Sequence, residues 1–151
     1  MSAAADNYSS SQFPEPALVP ELAVTDLATS LSFYLAKLGF RIRYQREAEG
    51  FAYLEREGAE LMLDQLNLGR SWLTGSMQQP FGRGVNLQIK VSDVAELRRG
   101  IDDEAIFLDL ETRWYAGSDV EYGVKQFVVR DPDGYLLRLQ QSLGTRPRQR
   151  P

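Results

Sequence analysis

Two charged residues, Glu21 and Arg138, are the groups in this chain best suited to chemistry. Glu21 could serve as a general base and Arg138 as an oxyanion clamp, the pairing needed to draw a proton from a carbon beside a carbonyl. Glu21 could do so only if burial raised its pKa, and Arg138 nearby would push the other way. Lys90 and Arg138 could instead hold a small anion, and strand alternation turns Asn86 and Gln88 the same way as Lys90, and Gln140 the same way as Arg138. The rings of Phe51, Tyr53, Trp72, Trp114 and Tyr122 could stack on a planar compound, and Asp64, Asp109, Glu111, Asp119 and Glu121 could draw in a cation. Taken singly, each ring is explained as well by core packing and each acid by a solvated surface. A plain salt bridge is the bland reading of Glu21 and Arg138, if their strands pair. Among 151 residues there is no histidine and no cysteine, so imidazole catalysis, thiolate chemistry and disulfides are excluded. No nucleophilic serine motif, phosphate loop or zinc-type spacing occurs.

The elements that must position these residues are written twice. Val24-Thr25-Asp26-Leu27-Ala28 returns sixty-seven residues later as Val91-Ser92-Asp93-Val94-Ala95, each copy closing an apolar strand pattern and opening a helix. In the first copy a strand over 17–24, with Pro20 inside it, leads to a helix whose face is Leu27, Leu31, Tyr34, Leu35 and Leu38. Gly39 stands where a left-handed cap ends that helix. Strands over 40–46, 51–56 and 59–66 follow, with turns at Glu49-Gly50 and Glu57-Gly58. The second copy has a strand over 85–91 and a short helix with Asp93 and Glu96 at capping-box spacing. Strands over 106–112, 124–130 and 135–141 complete it, the last two joined by the turn Asp131-Pro132-Asp133-Gly134. Residues 67–84 are a linker, and 113–123 a long aromatic and acidic loop.

A hydrophobic content of 43% and a charged content of 25% fit one ordinary soluble domain. Residues 1–16 are polar and are expected to be disordered, with no signal-peptide character. No apolar run approaches the roughly 18 residues of a membrane span, so a cytoplasmic location is expected. The tail 144–151 is basic, through Arg146, Arg148 and Arg150, and is expected to be a disordered end. Without it, 14 basic groups face 21 acidic ones, a balance that repels nucleic acid.

Val24-Thr25-Asp26-Leu27 with Ser32-Phe33-Tyr34 and Leu38-Gly39-Phe40, and the closing Val129-Arg130-Asp131-Pro132-Asp133-Gly134-Tyr135-Leu136-Leu137, resemble the vicinal oxygen chelate superfamily of glyoxalases, extradiol dioxygenases and bleomycin-resistance proteins. The resemblance implies an α+β fold: two tandem βαβββ modules, 17–66 and 84–141 within a domain 17–143, forming curved mixed sheets around a cleft. Enzymes of that superfamily carry metal ligands on the first and last strands of each module. The sixty-seven-residue offset carries Val19 onto Asn86 as the first-strand positions, and Met62 and Arg138 stand at the last-strand ones. A valine, a thioether and a guanidinium cannot assemble a hard-metal site, so no metal and no cofactor are expected.

Val19-Pro20, and Phe51 to Arg56 running into Leu61-Met62-Leu63-Asp64, are most similar to the bleomycin-resistance branch, whose members are homodimers that sequester a bulky, cationic glycopeptide in clefts at the subunit interface without chemistry. The resemblance therefore implies a metal-free homodimeric binding protein. Its candidate ligand-binding residues are Glu21, Phe51, Tyr53, Met62, Asp64, Trp72, Asn86, Gln88, Asp109, Trp114, Tyr122 and Arg138. The competing readings are a metal-independent enzyme built on Glu21 and a binder of a small anionic metabolite.

Overall fold

The computed structural model describes residues 16–69 and 72–149, so the expected disordered segment lies, save Pro16, outside the described residues. The chain divides into two units, Met1–Gln79 and Pro80–Pro151. Each is built as strand, helix and three strands. The first unit holds β1 (Glu21–Val24), α1 (Leu27–Ser32), β2 (Arg41–Arg46), β3 (Phe51–Arg56) and β4 (Ala59–Gln65). The second holds β5 (Asn86–Lys90), α2 (Val94–Arg99), β6 (Ile106–Ala116), β7 (Val120–Arg130) and β8 (Leu136–Pro147). The sheets run β1-β4-β3-β2 and β5-β8-β7-β6, each with one parallel pair at the first strand and antiparallel pairs elsewhere. This is the α+β, two-module fold expected from the sequence.

The repeat reaches further than the echoed pentapeptide. Asp26 and Asp93 cap their helices by accepting from Thr29 N and Glu96 N, each at 3.1 Å. Thr29 holds the Asp26 carboxyl below its ordinary range through its hydroxyl and its backbone N–H. A second cap comes from the far end of each module: Gln65 Oε1 accepts from Leu27 N at 2.9 Å, and Gln141 Oε1 from Val94 N at 3.1 Å. These glutamines satisfy first-turn N–H groups that have no partner within the helix and tie each helix to its module's last strand. Replacing either with leucine should cost about 1 kcal/mol in chemical denaturation, the usual worth of a cap.

Apolar alternation decides which face each sheet buries. Leu22, Val24, Ile89, Val91, Leu137 and Leu139 are buried as their parity requires. Leu18 and Val85 share that parity but are exposed, because both precede the strands that their runs were expected to start. β1 begins only after Pro20, whose carbonyl accepts from Met62 N at 2.9 Å but which has no N–H to extend the ladder. The helix of the first unit is also less regular than its periodicity implies. Its α turn passes into a π-helical turn over Phe33–Lys37, closed by Leu38 N to Phe33 O, and Gly39 then takes φ +71° as expected.

The hairpin at Glu57-Gly58 has both central residues at positive φ, the twist that tight hairpins favour. At the second turn, Asp131 Oδ1 accepts from Asp133 N and Tyr135 N, both at 2.9 Å, and Gly134 sits at φ +97°. A Cβ on Gly134 would fall 2.5 Å from Pro80 Cβ. Gly134→Ala should therefore destabilise the protein by about 2 kcal/mol or more, seen as a lower melting temperature.

Two expectations fail together at the end of the second sheet. Residues 113–123, expected as a loop, are instead the arms of the β6–β7 hairpin around Ser118-Asp119, with Tyr115 opposite Tyr122 and Trp114 opposite Gly123. The basic tail is not free from residue 144. β8 runs on to Pro147, pairing Arg146 with Glu121 and Thr145 with Tyr122. Rings and β-branched side chains favour a pleated surface, and an Arg146–Glu121 ion pair at 2.6 Å joins the added strands. None of the described helices is long and apolar enough to cross a membrane.

Candidate functional site

Register sorts the candidate residues into two groups. On the first sheet, Glu21 pairs with Met62, Met62 opposes Tyr53, and Asp64 opposes Phe51. All five thus share the face turned away from α1. The rings there are already engaged. Tyr53 stacks on Tyr44 with centroids 5.0 Å apart, Arg46 lies 4.0 Å over Phe51, and Tyr53 OH donates to Glu60 at 2.6 Å. Phe51, Tyr53 and Asp64 are buried, and Glu21 is exposed. A general base at Glu21 would need burial, which this position does not have. β1 pairs with β4, and β8 with β5 and β7, so Glu21 and Arg138 stand in different sheets and their strands do not pair. Trp72 is 75% exposed, between the two units' strands in sequence.

The second sheet gathers the other group on its open face. Asn86, Gln88 and Lys90 come from β5, and Arg138 and Gln140 from β8, next to Gln126 and Val128 of β7. Leu108, Glu111 and Tyr115 come from β6. Two cavities lie on this face. One of about 460 Å³ is lined by Gln88, Tyr122, Gln140 and Thr145 among others, and one of about 410 Å³ by Asn86, Leu108, Glu111 and Leu136. Tyr115, Gln126 and Arg138 line both.

Arg138 Nη2 donates to Gln88 Oε1 at 2.8 Å, while its Nε is buried with no hydrogen-bond partner. A buried donor of that kind costs free energy until something accepts from it. Beside it, Gln126 is 3% exposed and donates from Nε2 to Glu111 Oε1 at 3.0 Å and to Tyr115 OH at 2.9 Å. The face thus offers donors and acceptors for hydrogen bonding between two exposed tyrosines, with Lys90, Arg113 and Arg138 outnumbering Glu111.

Asp109 and Trp114 do not join this face. Register breaks between Leu108 and Glu111 shift the strand's parity, so that Glu111 meets Gln126 while Asp109 meets the helix. Arg98 of α2 donates to Asp109 Oδ1 at 2.8 Å, holding that carboxyl below its ordinary range, chiefly by this hydrogen bond. A depressed pKa means the tie is complete above about 3.9, the unfolded value, and is lost as pH falls through the lower folded one. Trp114 lies on the opposite face from Tyr115, against Gly123, with the Arg146 guanidinium 4.0 Å over its ring.

Gln126 is the residue that sequence reasoning missed. Its signal was an amide immediately before the apolar run Phe127-Val128-Val129, in register with Gln140 on the Arg138 strand. Tyr115 was hidden by the reading of 113–123 as a loop.

Residues 17–139 match the sequence profile of the Glyoxalase/Bleomycin resistance protein/Dioxygenase superfamily. The chain belongs to that superfamily. A superfamily member from Vibrio splendidus 12B01 is 36% identical, with 83% of this chain and 97% of that one covered and a TM-score of 0.38. A virulence protein from Salmonella typhimurium shares the fold at 20% identity, with 86% and 98% covered and a TM-score of 0.59. TioX from Micromonospora sp. ML1 does so at 22% identity, with 85% and 100% covered and a TM-score of 0.58. A comparison with the curated proteins finds no match.

A metal, which some members of the superfamily use, does not fit these residues. The register that pairs Glu21 with Met62 also pairs Gln88 with Arg138, confirming Met62 and Arg138 as equivalent last-strand positions. A thioether and a guanidinium are the wrong donors for a hard cation. Among the described residues no three His, Cys, Asp or Glu come together as a metal site.

Proposed function

We propose that this superfamily member binds a planar small molecule, without turnover, by presenting the Arg138 guanidinium to an acceptor on the ligand. The observation that carries the reading is the Arg138 Nε–H, buried without a partner where two cavities share their lining. Tyr115 and Tyr122, 42% and 54% exposed, supply ring faces on the same side. Cavities of about 460 and 410 Å³ suit a ligand of two or three fused rings. A second copy of the chain completes the proposal, as the resemblance implies, and sedimentation equilibrium at twice the monomer mass would bear it out.

Sequestration of a bleomycin-like cation is the neighbouring reading. Its planar rings would suit the two tyrosines, and its carbonyls the row of amides. Its positive charge would meet Arg138 and Arg113, and two of the acids expected to attract it are engaged elsewhere, Asp109 with Arg98 and Glu121 with Arg146, while Glu111 alone of the five lines the smaller cavity. Calorimetric titration separates the two. 2-Naphthoate or 2-naphthamide should saturate near one per chain, while 2-naphthylmethylammonium and metal-free bleomycin give little heat. Saturation by bleomycin or the ammonium alone would restore the cation reading.

A further inference from the structure

Gln126 is held in a single orientation on this face. Both hydrogens of its Nε2 are used, one on the Glu111 carboxylate at 3.0 Å and one on the Tyr115 hydroxyl at 2.9 Å. Rotating the amide by half a turn would set its carbonyl oxygen against that carboxylate, so the orientation is fixed by charge. What remains for a ligand is Oε1, an acceptor only. Gln126 opposes Gln140 and Val128 opposes Arg138 across β7 and β8. Gln126 and Arg138 are therefore diagonal neighbours on one face, within reach of a single small group. Arg138 contributes the reverse character, a buried Nε–H that donates and has no partner.

We infer that the Gln126–Arg138 pair recognises an amide edge: a carboxamide or lactam whose carbonyl accepts from Arg138 Nε and whose N–H donates to Gln126 Oε1. This rests on the ligand reading above and narrows it to a chemical class. A carboxylate would satisfy Arg138 equally, but its second oxygen would face Gln126 Oε1 with Glu111 behind it, two acceptors and a negative charge. A site built to hydrogen-bond one group discriminates strongly against an isostere lacking the donor, because its own polar atom is then left unpaired. Glu111 touches only Gln126 in this scheme and is a positioning residue, while Tyr115 positions Gln126 through its hydroxyl and also offers its ring to the ligand.

The test is a titration of the full-length protein with the isosteric pair 2-naphthamide and 2-naphthoate, followed by calorimetry and by amide chemical shifts. The amide should bind about tenfold tighter, the effect of one hydrogen bond exchanged for an acceptor clash. Gln126→Met should abolish that preference while keeping carboxylate binding through Arg138. Should burial make Gln126→Met fold poorly, Tyr115→Phe serves in its place. It frees one Gln126 N–H at a partly exposed position and should reduce the ratio between the probes. A purely structural role for Tyr115 would weaken both probes alike and leave the ratio unchanged. A carboxylate preference, or a ratio untouched in both variants, overturns the assignment of Gln126 but leaves a ligand site at Arg138. Failure of both probes to bind overturns the site itself.

Discussion

Arg138→Met should lower the affinity of the protein for planar acceptor ligands by roughly 100-fold, the equivalent of about 2–3 kcal/mol of charge-assisted hydrogen bonding. Methionine keeps the length and most of the apolar stem, so cavity shape changes little. Stability should move in the other direction or not at all. In the free protein Arg138 makes one side-chain hydrogen bond, to Gln88, and holds Nε buried and unbonded. Removing a donor that is already unsatisfied relieves a cost. Loss of binding with an unchanged or raised melting temperature is the signature of a residue retained for ligand rather than for fold. A large fall in melting temperature would instead make Arg138 a structural cation. Isothermal titration and thermal denaturation of the same preparation decide between them.

The largest effect on stability is expected in the first unit, at Arg43. Its side chain is 7% exposed and faces the Glu60 carboxylate, whose side chain is 2% exposed. Tyr53 OH donates to the other Glu60 oxygen at 2.6 Å. Arg43→Met strands a buried carboxylate with a single phenol donor and should cost about 3–5 kcal/mol. Adding Glu60→Gln to the same chain should recover much of that loss, because the uncompensated charge is gone. Breaking the exposed Arg46–Glu49 pair, at 48% and 58% side-chain exposure, should by comparison change stability by less than about 1 kcal/mol. Urea denaturation midpoints of the four proteins give the comparison directly.

Much of the fold was legible because it depends on periodicities a sequence displays. The repeated Asp26 and Asp93 caps, the alternation of Leu137 and Leu139 with Arg138, and the glycines at 39, 58 and 134 each fix a local geometry without distant partners. Features that depend on register were not legible. The breaks between Leu108 and Glu111 reverse the parity of β6, so two acids two residues apart leave on opposite faces, one to Arg98 and the other to Gln126. The Gln65 and Gln141 caps reach across 38 and 47 residues to their helices, beyond any local pattern. Reading 113–123 as a loop cost the site Tyr115, since acidic and glycine residues there masked a strand that its rings favour.

Of the candidate residues, Asn86, Gln88, Arg138 and Tyr122 do meet on one face; strand alternation was sufficient to group Asn86 with Gln88, whereas Tyr122 was chosen only as a stacking ring in the loop expected over 113–123. Phe51 and Tyr53 also share a face, with Glu21, Met62 and Asp64, but a sequence cannot show that a ring is already stacked on Tyr44 or covered by Arg46.

The Arg138 Nε–H is the atom on which the account depends, and it can be watched by itself. In a nitrogen-15 correlation spectrum recorded over the guanidinium region, its resonance can be assigned by its absence in Arg138→Met. Titration with 2-naphthamide should shift that resonance downfield and slow its exchange with water, with the backbone amides of Gln126, Tyr115 and Gln88 moving at the same ligand concentration. Binding that leaves the Nε–H signal unmoved, while shifts collect around Phe51 and Tyr53 of the first sheet, would contradict the assignment of the site.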